Sequence, residues 1–177
     1  TGSIKSEHIT DDAEYTGIRI TSKALVGGDS FIFQLDIGFG DKIIKAPVLN
    51  SYPTFFSDEP IEIYTYDFTT SFAEKLQAIV DLGQFNSRMK DFYDLWFLIS
   101  KYSFSNEEMV EAIKATFNAR STSLDSISLL SKPSFKNDSD KSTQWEVFKT
   151  RMKVNDPISF SEVTTDIFTY LKQLQII

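Results

Sequence analysis

Cysteine is absent from the 177 residues, and histidine occurs once, as His8. Without cysteine there is no disulfide framework, thiol nucleophile, thiolate metal site or redox switch. One histidine near the N-terminus argues against a two-histidine zinc site and against a histidine-dependent triad in the folded body. Glycine and proline are sparse, at 7 and 5 residues, which excludes collagen-like and low-complexity chains. Positive charge is in deficit, with 18 Lys and Arg against 25 Asp and Glu for a net charge of -7. A broadly basic nucleic-acid footprint is therefore missing, and only a local basic patch remains open. Apolar runs are short. The longest, Leu95-Trp96-Phe97-Leu98-Ile99, falls far below the roughly 18 residues of a membrane span. The opening Thr1-Gly2-Ser3-Ile4-Lys5 carries no secretory core. The expectation is a soluble, cytoplasmic protein with no membrane partner.

What is present is ordinary globular composition, 41% hydrophobic and 24% charged, enough for one domain or two small ones. Residues 1–17 are polar and weakly patterned and read as a loose lead-in. From Gly17 the pattern alternates with period two, and Gly27-Gly28-Asp29 is a turn signal. Phe31, Phe33, Leu35, Ile37 and Phe39 then share one face of an extended segment. Residues 17–26 and 30–39 are predicted to form a β-hairpin with that face on a core. A short apolar piece follows over Lys42–Val48, and Ile61–Tyr64 is a further short strand.

Near Asp67 the period becomes helical. Phe68, Phe72, Leu76 and Ile79 mark a first helix, with Ser71 and Glu74 as its capping box if it starts there and Gly83 as its stop. A second helix is predicted over 88–101 after a short turn. Ser105 with Glu108 opens a third, and Ser159 with Glu162 opens the last. Residues 121–141 read as a mobile connector around a short Ser126–Leu130 element, and Thr143–Met152 as helix. The fold class is α+β: a small antiparallel sheet followed by a helical bundle. The predicted division is 1–66, β-rich, and 67–177, helical.

Three groups of residues bear on chemistry. Asp36 lies on the hairpin face opposite the aromatic one, beside Gly38 and Gly40. It is either a solvated strand residue or a carboxylate on an open face able to hold magnesium or take a proton. Lys75 and Asp94 lie among apolar residues on successive helices, and form either a buried salt bridge or part of a site. Arg88 and Lys90 stand at a helix start, where phosphate is favoured, and are otherwise surface charge. Missing are a phosphate-binding Gly-x-x-x-x-Gly-Lys loop, Gly-x-Gly-x-x-Gly and Gly-x-Ser-x-Gly.

Three blocks carry a family likeness: Leu35-Asp36-Ile37-Gly38-Phe39-Gly40-Asp41, Ala73-Glu74-Lys75-Leu76-Gln77-Ala78, and Asn86-Ser87-Arg88-Met89-Lys90-Asp91-Phe92-Tyr93-Asp94-Leu95. In this order they resemble the AbiEii nucleotidyltransferases, toxins of abortive-infection and toxin–antitoxin systems within the DNA polymerase β-like superfamily. The resemblance implies a partial nucleotidyltransferase fold. It also implies an enzyme that binds a nucleoside triphosphate with Mg²⁺ and transfers a nucleotide to an acceptor such as tRNA, with an antitoxin as protein partner. Asp36 matches the third strand carboxylate, acting on the acceptor hydroxyl or near the metal. Lys75 would contact the triphosphate, and Asp91 or Asp94 would supply the final acid, Asp94 being favoured for its apolar setting. Arg88, Lys90 and Asp91 would lie on the phosphate side.

The family's first motif, a Gly-Ser or Gly-Gly turn followed by Asp-x-Asp, is not found in residues 1–35. That motif supplies the main metal ligands, so this chain alone is expected to bind metal poorly and turn over little. The expectation is the C-terminal part of a longer enzyme, or a degenerate member. A non-catalytic module that binds nucleotide or antitoxin is the competing reading. The acidic net charge weighs against tRNA affinity for this stretch alone.

Overall fold

The structure is a computed structural model and describes residues 4–10, 16–39, 46–55 and 57–177. The chain divides into two compact units, Thr1–Lys42 and Ile43–Ile177. The first holds a three-stranded antiparallel sheet of β1 (Lys5–Thr10), β2 (Thr16–Val26) and β3 (Asp29–Gly38), in that order. The β2–β3 hairpin runs in unbroken register from Val26 opposite Asp29 to Gly17 opposite Gly38. Gly27 and Gly28 both take positive φ, 59° and 94°, which a two-residue primed turn requires and side-chain-bearing residues resist. The loose lead-in is corrected, because Lys5–Thr10 pairs along β2 with His8 opposite Ile18. Its Lys, Ser, Glu and Thr residues suit an edge strand and give no hydrophobic signal.

The predicted burial of the hairpin's aromatic face is also corrected. Phe31, Phe33, Leu35 and Phe39 are exposed, and only Ile37 is half-buried. Alternation identifies which side chains share a face, but not whether anything covers it. Within this unit the described residues form sheet alone, with no second layer. Gly40, Asp41 and most of the Lys42–Val48 piece lie outside the described residues.

The second unit opens with a two-stranded antiparallel ribbon, β4 (Val48–Tyr52) and β5 (Ile61–Thr65). Six α-helices follow among the described residues: α1 (Phe68–Leu82), α2 (Met89–Lys101), α3 (Asn106–Ala119), α4 (Pro133–Lys136), α5 (Ser139–Met152) and α6 (Phe160–Gln173). α1 starts earlier than the Ser71–Glu74 pattern predicts. Asp67 is the cap, with its carboxylate accepting from the Thr70 N–H at 2.8 Å. Glu74 is thereby released to pair with Arg120 of α3. Ser105 and Ser159 cap α3 and α6 as predicted, and Ser159 and Glu162 form a full capping box.

Residues 121–141 form structure where a connector was predicted. Ser123 caps a 3-10 segment over Leu124–Ser131, Pro133 opens α4, and Asp138 caps α5. Ile127, Leu130 and Phe135 are fully buried and tie the stretch to the core. Its serines and aspartates are caps rather than signs of disorder. The core is continuous: Phe72, Leu76 and Ile79 of α1, Phe92 and Leu95 of α2, Ile113 and Phe117 of α3, and Val163, Ile167 and Leu171 of α6 are all buried. An aromatic cluster of Phe92, Phe135, Trp145 and Phe160 joins α2 to the C-terminal helices.

Candidate functional site

α1 and α2 pack against each other through their apolar faces, and each presents charge at the edge of that contact. Lys75 Nζ of α1 lies 3.1 Å from Asp91 Oδ1 and 2.7 Å from Asp94 Oδ2. Arg88 Nε lies 2.7 Å from the other Asp91 oxygen, and Lys90 Nζ lies 2.6 Å from Asp94 Oδ2. Five of the six candidate residues thus form one alternating chain: Arg88, Asp91, Lys75, Asp94, Lys90. It holds three cations and two carboxylates.

Burial is uneven along it. Asp91 is buried, with 6% of its side chain exposed, against 23% for Asp94. The expectation that Asp94 is the buried acid is corrected, because helical rotation turns Asp91 inward with Phe92 and Leu95. Asp91 sits in the first turn of α2, where the helix dipole favours a carboxylate. Arg88 approaches Asp91 Oδ2 as an ion pair without hydrogen-bond alignment, leaving that buried oxygen without a hydrogen bond. Burial of the Lys75 ammonium pulls its pKa down, but hydrogen bonds and charge from Asp94 and Asp91 outweigh this and raise it above the usual lysine value. Lys75 is firmly cationic at neutral pH.

The turn before α2 is held from α5. Lys141 is 4% exposed, and its ammonium donates to the backbone carbonyls of Gln84 and Asn86 at 2.8 and 2.9 Å. Asn86 Oδ1 in turn accepts from the Arg88 N–H at 2.7 Å. Burial lowers the Lys141 pKa, against the opposing charge of Asp138. The sequence gives no sign of this role, since Lys141 falls in the stretch read as connector.

A cavity of about 390 Å³ adjoins the charged chain, at the small end of the range of roughly 300–1,000 Å³ typical of ligand pockets. Lys90 and Asp94 form one part of its wall, and Tyr93, Phe148, Met152 and Asp156 another. The Tyr93 hydroxyl donates to Asp156 Oδ2 at 2.9 Å. The 153–156 turn is distant in sequence, and no local pattern marks it.

Asp36 belongs to the first unit. Arg19, opposite it in register, donates to both carboxylate oxygens at 2.8 and 2.9 Å, and Gln34 also donates to both. The Arg19 hydrogen bond holds the Asp36 carboxyl below its usual range, which makes it a weak base. Among the described residues no group of three or more His, Asp or Glu side chains is placed to hold a metal ion. Asp36, Asp91 and Asp94 each face cationic side chains instead. The described residues do not form a site for the Mg²⁺ that the resemblance implies. No described helix is long and apolar enough to cross a membrane.

The profile of the nucleotidyl transferase AbiEii toxin family, of type IV toxin–antitoxin systems, matches residues 1–166. The chain belongs to the AbiEii family. No curated protein and no solved structure matches it. The two blocks of the AbiEii likeness that lie on α1 and α2 are those that build the charged chain beside the cavity.

Proposed function

We propose that this AbiEii chain supplies the phosphate-binding side of a nucleotidyltransferase site, with Lys75, Arg88 and Lys90 taking the triphosphate of a nucleoside triphosphate. One observation carries this reading: Lys75 bridges two carboxylates, of which Asp94 lines a cavity together with Lys90, and Arg88 pairs with the other. The Arg88 and Lys90 side chains are more than half exposed, so their ion pairs contribute little. An incoming phosphate can take their hydrogen bonds at small cost and bring charge-assisted pairing in return. Lys75 is half-buried and fixed, and serves as the anchor.

In the full reaction an acceptor hydroxyl oxygen bonds to the α-phosphorus, the bond to the bridging oxygen of the β-phosphate breaks, pyrophosphate leaves, and the hydroxyl proton passes to water. The acceptor proposed is an RNA end such as that of tRNA. The protein partner proposed is an antitoxin, and the setting is the cytoplasm. Asp36 is proposed to act on the acceptor side, which Asp36→Ala tests in a transfer assay. A second reading is nucleotide binding without turnover, since residues 1–35 hold no Asp-x-Asp after a Gly-Ser or Gly-Gly turn.

Calorimetric titration with ATP, GTP, CTP and UTP in magnesium buffer tests the proposal. Binding that weakens by roughly tenfold or more in Lys75→Ala, with the circular dichroism spectrum unchanged, supports it. Equal binding by both proteins overturns it. Transfer of α-³²P label to RNA separates the two readings.

A further inference from the structure

We propose that the cavity beside Asp94 receives the nucleobase and selects one bearing an exocyclic amino group, with Asp156 as the specificity-determining residue. The inference rests on the nucleotide reading of the Lys75 cluster, because Lys90 and Asp94 belong to both the cluster and the cavity wall. A ligand holding a phosphate at Lys90 meets the remaining wall of the same cavity.

That wall has two kinds of surface. Phe148, Met152 and Tyr93 are flat or polarisable groups suited to a planar heteroaromatic ring. Asp156 is half-buried, and one of its oxygens already accepts from the Tyr93 hydroxyl. An ionised carboxylate can only accept, with about four lone-pair positions. The group placed against it must therefore donate. The amino groups of cytosine, adenine and guanine do so, as in carboxylate recognition of the cytosine N4 amine. Uracil places a carbonyl where cytosine has its amine, and that oxygen meets the carboxylate as a second acceptor.

Lys153, which ends α5 at φ 55°, lines the same cavity.

Cytosine and uracil differ only along the edge in question, so CTP against UTP is the sharpest comparison. The test is titration of the 177-residue chain with both nucleotides, and ligand-observed NMR with cytidine and uridine. The expected result is a preference for CTP of roughly tenfold, shared by the nucleosides. Asp156→Asn still accepts from Tyr93 but presents an N–H₂ donor, and should bring the ratio to about one. Equal affinities in the wild-type chain, or a ratio unmoved by Asp156→Asn, overturn the inference while leaving triphosphate binding intact. A nucleoside preference with no gain from phosphates, and no effect of Lys75→Ala, supports the pocket and overturns the nucleotide reading. Failure of all four ligands to bind overturns both.

Discussion

Lys75 Nζ and Asp94 Oδ2 lie 2.7 Å apart, and the same ammonium is shared with the more deeply buried Asp91. One cation thus neutralises two acids across the contact between α1 and α2. Removing it leaves both without their common partner, and stranded charge costs more than the pair contributes. Lys75→Met is expected to destabilise the chain by about 2 kcal/mol, below the value for a fully buried pair because part of the cluster is exposed. Adding Asp91→Asn to Lys75→Met should recover part of the loss. Urea denaturation checks this, and additive losses would exclude the shared arrangement.

The two inward lysines respond to alkali with opposite sign. Lys75 has its pKa raised above the usual 10.5, so its contribution is fully present below that value and is lost as pH rises through the folded pKa. Lys141 has its pKa lowered from 10.5, so the unfolded chain binds more protons between the two values, and stability from this group rises with pH there. Relative to the wild-type chain, Lys75→Met should flatten the fall above pH 10.5, and Lys141→Met should remove a rise below it. Melting temperatures from pH 8 to 12 on both variants read the difference, and slopes of equal sign would contradict it.

Lys141 also bears on the site through the turn it holds. Its substitution by Met leaves the Gln84 and Asn86 carbonyls without their donor while removing a costly buried charge. The net loss of global stability is expected to be about 1 kcal/mol. The local effect should be larger, because Asn86 fixes the Arg88 amide at the entry to α2. Hydrogen exchange at Arg88 should accelerate more than exchange at core amides such as Leu95. Uniform acceleration would mean that the clamp has no local role.

What could be read from the sequence follows what is local in it. Gly27-Gly28, Ser105 with Glu108, and Ser159 with Glu162 each act through neighbouring backbone, and each is found where it was placed. Lys75 with Asp94, and Arg88 with Lys90, were legible only as two separate pairs, and their joining through Asp91 and Asp94 comes from the packing of α1 on α2. The order of burial was not legible, since Asp91 and Asp94 differ by less than one helical turn and both neighbour aromatics. Asp156 and Lys141 were invisible, because their partners lie 63 and 55 or more residues away. Asp36 fell on a recognisable strand, but its bidentate partner Arg19 follows from strand register rather than from the motif around it.

The Tyr170 hydroxyl is buried and makes no hydrogen bond among the described residues, while its ring packs edge-on against Phe72. Burial raises its pKa, as expected of a phenol removed from water with no partner for its oxygen. Tyr170→Phe keeps the ring and removes the unsatisfied group, so it should stabilise by about 1 kcal/mol. A fall in melting temperature would reveal a hydrogen-bond partner.

The hairpin offers the contrast between a patterned face and a buried one. Phe33 has 58% of its surface exposed, whereas Phe72 has none. Truncating Phe72 to Ala removes a core ring and is expected to cost about 3–5 kcal/mol. Replacing Phe33 by Thr keeps β-propensity and gives up little burial, so the cost should stay below about 1 kcal/mol. Chemical denaturation of the two variants side by side measures this. A loss at Phe33 approaching that at Phe72 would mean that the aromatic face is covered in solution, and the cover could then be located by cross-linking from position 33.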